Sequence, residues 1–271
     1  MLTLASITTA NLEEYLSVKK MDAAPSDLFR GRFERGEVAA ESAKLLSRDG
    51  QCIGGYSIAN AGQKKIVFVH INDVLSTLEE AEVLTELASG VGDKAAALII
   101  INKSNSAHAF AADSPFISVQ SHSFHHLTPL DRPLPQPEAF EPVGIEILST
   151  QEVAEFLIHS DGEFTVEGQL DYYESCSTVG GLLQRVNGVI VALGMVCEPR
   201  PGMASIQMIG VHRDYRRQGR GSALQLALMH RAKAFADVYA GATHTDNAAM
   251  LRVMQKNGCQ ISDEQWVYTF R

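Results

Sequence analysis

"VHRDYRRQGRGSAL", Val211 to Leu224, joins the end of an apolar run to the start of a helical one through four arginines and two glycines. A strand that turns through glycine into a helix leaves the first helical N–H groups unpaired and pointing out of the helix end. Such an end attracts phosphate oxygens. Gly219 and Gly221 have no Cβ to hold an anion away from the backbone, and Arg213, Arg216, Arg217 and Arg220 add positive charge nearby. The stretch reads as an anion-cradling loop. A Walker A loop would end in Gly-Lys-Ser/Thr where this one has Gly-Ser-Ala, and a dinucleotide fingerprint would need a third glycine at Leu224, so neither fits. An exposed helix entry with solvated arginines is the competing reading.

The surroundings supply a strand before the loop and a helix after it. "GLLQRVNGVIVALGMV" puts Asn187-Gly188 between two apolar segments, a type I′ hairpin signal. A Pro201-Gly202 turn then leads into a strand over Ala204 to Val211. After the loop, Leu224, Leu228, Phe235 and Val238 recur at helical spacing and predict one long helix. "AGATHT" (Ala240 to Thr245) reads as a short strand, followed by a helix capped at Asp246 or Asn247 and stopped at Asn257-Gly258. "WVYTF" (Trp266 to Phe270) reads as a last strand.

The first half echoes this order. It has a hairpin signal at Asp49-Gly50, a strand in "KKIVFVHI", a helix over Thr77 to Ala88 and a strand in "AAALIII". Between its strand and helix lies only "NDVLSTLEE", with neither glycine nor arginine, so the anion loop has no counterpart there. Five of the nine prolines fall between Pro129 and Pro142, where repeated fixed φ and missing N–H donors prevent a helix or central strand. The expected organisation is a first domain over 1–128, a proline-rich linker over 129–142 and a second domain over 143–271.

Composition sets the outer bounds. A chain of 271 residues, 45% hydrophobic and 20% charged, is that of an ordinary globular protein of one large or two moderate domains. With 23 basic against 32 acidic residues it is not suited to sequence-independent binding of nucleic acid or anionic lipid. The opening residues lack the basic leader and apolar centre of a signal peptide, and no stretch has the ~18 apolar residues of a membrane span. Cys52, Cys176, Cys197 and Cys259 are scattered without metal-ligand spacing, which fits reduced thiols. A cytoplasmic protein, binding neither nucleic acid nor membrane, is expected.

The spacing Arg-x-x-Gly-x-Gly, Arg216 to Gly221, after a strand ending at Val211, resembles the acetyl-CoA signature of the GCN5-related N-acetyltransferase (GNAT) superfamily. The likeness covers roughly residues 143–271, because the element order and "DNAAMLRVMQKNGC", with Asn247 and Gly258, also match that family's second segment. It implies an α/β (α+β) fold: a mixed, largely antiparallel sheet flanked by helices, the first half being a degenerate tandem copy. It implies acetyl-CoA as acyl donor, no metal, and a small-molecule or peptide amine as acceptor. The amides of Gln218, Gly219, Arg220, Gly221 and Ser222 would hold the diphosphate, with Arg216 and Arg217 beside them. Backbone near Ile209 and Val211 would take the pantetheine arm, and Asn247 would face the cofactor's other side.

The family's side-chain acid and base are missing. Where a carboxylate base stands on the strand before the loop, this chain has Ser205 and Gln207; the tyrosine acid seven residues after the asparagine is Met254. Substitutes could come from "DGEFTVEGQLDYYESCS", with Glu163, Glu167, Asp171, Tyr172, Tyr173 and Glu174, or from Tyr268 or Cys259, although the simpler reading of each is a packed or solvated residue. Oligomeric state is open. "HSFHH" (His122, His125, His126) has no partnering carboxylate or cysteine at a recognised metal spacing. A non-catalytic acyl-CoA-binding module is the rival to an enzyme.

Overall fold

The computed structural model describes residues 1–18, 23–61, 64–93, 97–103, 110, 114–160 and 177–271. In chain order the elements are β1 (Leu2–Ser6), α1 (Leu12–Val18), α2 (Ala23–Glu34), β2 (Ala43–Arg48), β3 (Gln51–Ala61), β4 (Lys64–Ile71), α3 (Thr77–Val91), β5 (Ala97–Lys103), β6 (Ile117–Pro129), β7 (Glu141–Val143), α4 (Gln151–His159), β8 (Thr178–Val186), β9 (Val189–Arg200), β10 (Gly202–Val211), α5 (Arg220–Ala232), β11 (Ala236–His244), α6 (Ala248–Lys256) and β12 (Ile261–Phe270). The fold is mixed α/β with mostly antiparallel strands. Two compact units divide it, one of residues 1–123 with 263–271, the other of residues 124–262.

Within the first unit the strands run β1-β2-β3-β4-β5-β12, with residues 117–123 of β6 beyond β12. Arg48 and Gln51 pair across a turn in which Asp49 and Gly50 both have positive φ, 52° and 81°, as a two-residue hairpin requires. β4 and β5 are parallel and paired from Lys65–Ala97 to Val69–Ile101. The crossover between them is α3, which buries Val83, Leu84, Leu87 and Val91 in one cluster with Val67, Val69, Ile99 and Ile101.

The second unit repeats this plan. Asn187 and Gly188 have the same turn angles, 52° and 81°, between β8 and β9. β8, β9 and β10 are antiparallel, β10 and β11 parallel, and α5 is the crossover. Leu224, Ala227 and Leu228 of α5 pack with Ala192, Val196 and Ala204. The helix lies close: a Cβ on Gly194 would stand 2.6 Å from Leu228 Cδ1. On the opposite face Val153, Phe156 and Leu157 of α4 cluster with Leu193, Met195 and Met208.

Three expectations change. The helix after the loop ends at Ala232, and Val238 and Tyr239 instead pair with Met203 and Ala204, because an apolar stripe at helical spacing also fits a strand lying beside another. The last strand belongs to the first unit, where Trp266, Val267 and Tyr268 pair with Ile101, Ile100 and Ile99. The proline-rich segment falls within the second unit and is packed there: Leu130 is fully buried, its N–H donates to Asp237 O at 2.8 Å, Lys233 Nζ donates to Arg132 O, and Arg132 Nη2 donates to Asn257 O.

Candidate functional site

β10 and β11 are in register only from Gly202 to Ser205 on β10 and from Ala236 to Ala240 on β11. Beyond that the strands part, leaving Ile206 to Val211 with no β11 partner. The N–H of His212 bonds Val191 O of β9 at 3.0 Å. Because successive residues of an antiparallel ladder point their N–H and C=O groups to alternate sides, Ile209 and Val211 direct theirs away from β9 and into this splay. Arg216 Nε takes the Val211 carbonyl at 3.0 Å. That side chain therefore ties the loop to the strand end, while Ile209 keeps both backbone groups, and Val211 its N–H, directed into the splay.

The loop opens on a 3-10 turn, Arg213–Tyr215, capped by His212, whose Nδ1 accepts from the Asp214 N–H at 3.3 Å. Two left-handed residues follow, Arg217 at φ 59° and Gly219 at φ 81°. Gly219 is the N-cap of α5 and has no side chain of its own to accept from the helix start. The first helical bond of α5 runs from Ala223 N–H to Gly219 O, so the amides of Arg220, Gly221 and Ser222 lie in the unbonded first turn. That turn holds no acidic residue. A Cβ at Gly219 would meet nothing within 4 Å, so the N-cap faces open space.

The other loop residues divide by role. The Arg213 and Arg217 side chains are exposed, with no ion pair or hydrogen bond among the described residues, and add positive charge to the loop. Arg220 folds back, donating to Gln184 Oε1 and lying 5.6 Å over the Tyr215 ring. Gln218 accepts from Arg220 Nε at 3.4 Å. The Ser222 carbonyl accepts from Asn257 Nδ2 at 2.9 Å, binding α5 to the end of α6. Asn247 caps α6, its Oδ1 accepting from Met250 N–H at 3.0 Å, which leaves its amide nitrogen exposed.

The corresponding point of the first unit is already filled. At the start of α3, Ser76 and Glu79 form a reciprocal capping box, and the Glu79 carboxylate is held by Arg48, which brings its pKa down to about 2. A bound carboxylate there repels a phosphate. β4 and β5 remain paired to Val69–Ile101, leaving only His70 and Ile71 beyond.

The catalytic candidates fare differently. Glu163 and Glu174, with Glu167, Asp171, Tyr172 and Tyr173, lie outside the described residues. Tyr268 is in the first unit's core, edge-on to Phe110 at 6.3 Å, and burial pushes its hydroxyl up to about 12. Its position follows from β12 pairing with β5, which periodicity could not foretell. Met254 is buried at 3% exposure. Cys259 is part-buried, with burial raising its thiol pKa. The "HSFHH" histidines separate: His122 stacks on Trp266 at 3.5 Å and contacts Glu264, while His126 is buried against Tyr239. Gln207, at a β-bulge beside the splay, is a site residue that the sequence marked only as a missing carboxylate.

A mixed sheet that opens at a splayed parallel pair over an unfilled helix N-terminus places the second unit in the class of α/β folds that build an anion site on a strand–turn–helix junction. Residues 146–259 match the Acetyltransferase (GNAT) family. Among solved structures, a GCN5-related N-acetyltransferase from Sphaerobacter thermophilus superposes with TM-score 0.60 at 14% identity, over 98% of this chain and 94% of that one. An acetyltransferase of the GNAT family from Colwellia psychrerythraea gives 0.53 at 12% identity, over 99% and 100%. At these identities the likeness is one of fold. No curated protein sequence matches the chain.

Proposed function

We propose that the chain is an acetyl-CoA-dependent N-acetyltransferase that works through its second unit, the first being a GNAT-like copy that holds no cofactor. The observation that carries this is the bare N-terminus of α5 at Gly219 beside the open backbone of Ile209. The amides of Gly219 to Ser222 would bind the CoA diphosphate, Arg213 and Arg217 would add charge, and Ile209 would hydrogen-bond the pantetheine arm. Asn247 would use its free amide nitrogen on the cofactor's far side.

In the reaction a neutral primary amine attacks the thioester carbonyl in a ternary complex. The C–N bond forms, the C–S bond breaks, and the amine's surplus proton ends on the departing thiolate. Backbone N–H groups in the splay stabilise the oxyanion, so the reaction does not require a side-chain acid at Met254. No metal takes part in this scheme, and among the described residues no group of three or more His, Cys, Asp or Glu is placed to hold one. The acceptor is a small-molecule or peptide amine. Cys52 and Cys259, thiols rather than disulfides, suit a reducing, cytoplasmic setting, and among the described residues no helix is long and apolar enough to cross a membrane.

Calorimetry with acetyl-CoA, followed by thiol release across a panel of amines, tests the reading. Association with turnover supports it; no association defeats it. The buried Met254 and the lack of a β10 carboxylate favour a second reading, a non-catalytic acyl-CoA sensor, for which association without turnover on any amine is the signature.

A further inference from the structure

Between the pairs Ile206–Val196 and Met208–Met195, β10 carries one residue more than β9, and Gln207 is that residue. The bulge follows Ser205, where pairing with β11 stops. Its effect on the strand is visible in packing. Ala204, Ile206, Ile209 and Val211 cluster with α5, while Met208 packs with α4 and Gly210 lies against Phe156 of that helix.

The Gln207 side chain reaches Thr178 of β8, whose hydroxyl donates to Oε1 at 2.7 Å. Thr178 and Ser205 both stand opposite Cys197, two residues from Met195 and so on the α4 face of the sheet. The other end of the amide is unmatched: among the described residues, buried Nε2 has no hydrogen-bond partner. With Oε1 occupied, what remains is a pure donor, and a buried donor without an acceptor is a destabilising arrangement. A CoA diphosphate at α5 and a pantetheine arm along Ile209 would bring the thioester to the point where the strands part, beside this amide.

We infer that Gln207 is a specificity-determining residue: its Nε2 donates to a carbonyl or carboxylate oxygen of the acceptor, so the chain prefers amines that carry such an oxygen next to the amino group, as amino acids and peptides do, over bare alkylamines. The inference rests on the acetyl-transfer reading above. Glutamine cannot take the amine's proton, so its part is recognition, and it confers a requirement on the acceptor that the family's carboxylate would not.

The test measures kcat/KM of the full chain with acetyl-CoA and matched pairs, phenylalaninamide against phenethylamine and alaninamide against ethylamine. The expected wild-type ratio within each pair is roughly tenfold or more in favour of the carbonyl-bearing amine, the worth of one buried hydrogen bond. In Gln207→Leu the ratio falls to about one. Gln207→Glu, which keeps the Thr178 contact and the side chain's shape but loses the donor, does the same and serves should the leucine variant not fold. A wild-type ratio near one, or a ratio untouched in both variants, overturns the inference. So does a uniform loss on every amine with the ratio intact, which would put Nε2 on the thioester oxygen instead. Calorimetry on the same proteins separates this from failure of the acetyl-transfer reading: there acetyl-CoA does not associate, or associates without turnover of any amine, whereas here association and turnover stand and only the preference is absent.

Discussion

Gly219 shows how much one backbone angle decides. Its φ of 81° is open to glycine and costs a residue with a Cβ about 1–2 kcal/mol, more if β-branched. Gly219→Val should therefore lower acetyl-CoA affinity at least tenfold by calorimetry and also lower the thermal midpoint by a few degrees, because the strained φ is not relieved by exposure. Gly221 differs: its φ is ordinary and a Cβ there would meet Val211 and Val253 at 3.7 and 3.6 Å, so the Gly221→Ala change should be far milder. His126 gives a pH prediction. Burial, helped by His125, lowers its pKa to about 4 against 6.5 in an unfolded chain. Between those values the unfolded chain binds the extra proton, so stability falls as pH drops from 6.5 toward 4, by up to about 1.4 kcal/mol per pH unit. Denaturant unfolding across that range should show the slope, and His126→Met should reduce it.

Two crossover helices in equivalent places show the same backbone put to different uses. α3 closes its own N-terminus with Ser76 and Glu79, while α5 leaves its first amides bare at Gly219. Ser76→Ala should cost about 1 kcal/mol in denaturant unfolding and leave acetyl-CoA affinity unchanged, since the cap is structural. The Glu79 ion pair with Arg48 contributes stability above the ordinary carboxylate range that is lost as pH falls toward 2. On α5, Leu228 is fully buried against the strands, so Leu228→Ala should destabilise by roughly 2–5 kcal/mol through the cavity it leaves. Phe235 packs on the same cluster as Leu224 and Leu228 although it lies beyond the helix, which is why the apolar stripe runs past Ala232.

At the scale of the molecule, the two units differ at the strand–helix junction. The second unit has the splay and the open helix start; the first has parallel strands paired to Val69–Ile101 and a self-capped helix. Calorimetry should return one acetyl-CoA per chain, and a stoichiometry of two would refute the assignment of the site to the second unit alone. The course of the last strand also matters here. Because residues 263–271 belong to the first unit, removing them should unfold that unit cooperatively by stripping the partner of Ile99, Ile100 and Ile101.

The sequence by itself determined the features that are settled within a few neighbouring residues. Asn187-Gly188 and Asp49-Gly50 turn because those pairs tolerate positive φ, and the loop after Val211 presents bare amides because a helix start must leave them so. Asn247 caps and Gly258 ends the last helix for equally local reasons. Tertiary structure alone decided which strand edge Trp266 to Phe270 would join, and with it the burial of Tyr268; it also decided that Arg216 would hold Val211 and that Gln207 would bulge. Those outcomes depend on contacts between residues far apart in the chain, where many apolar strands can compete for one edge and only packing of the whole sheet selects among them.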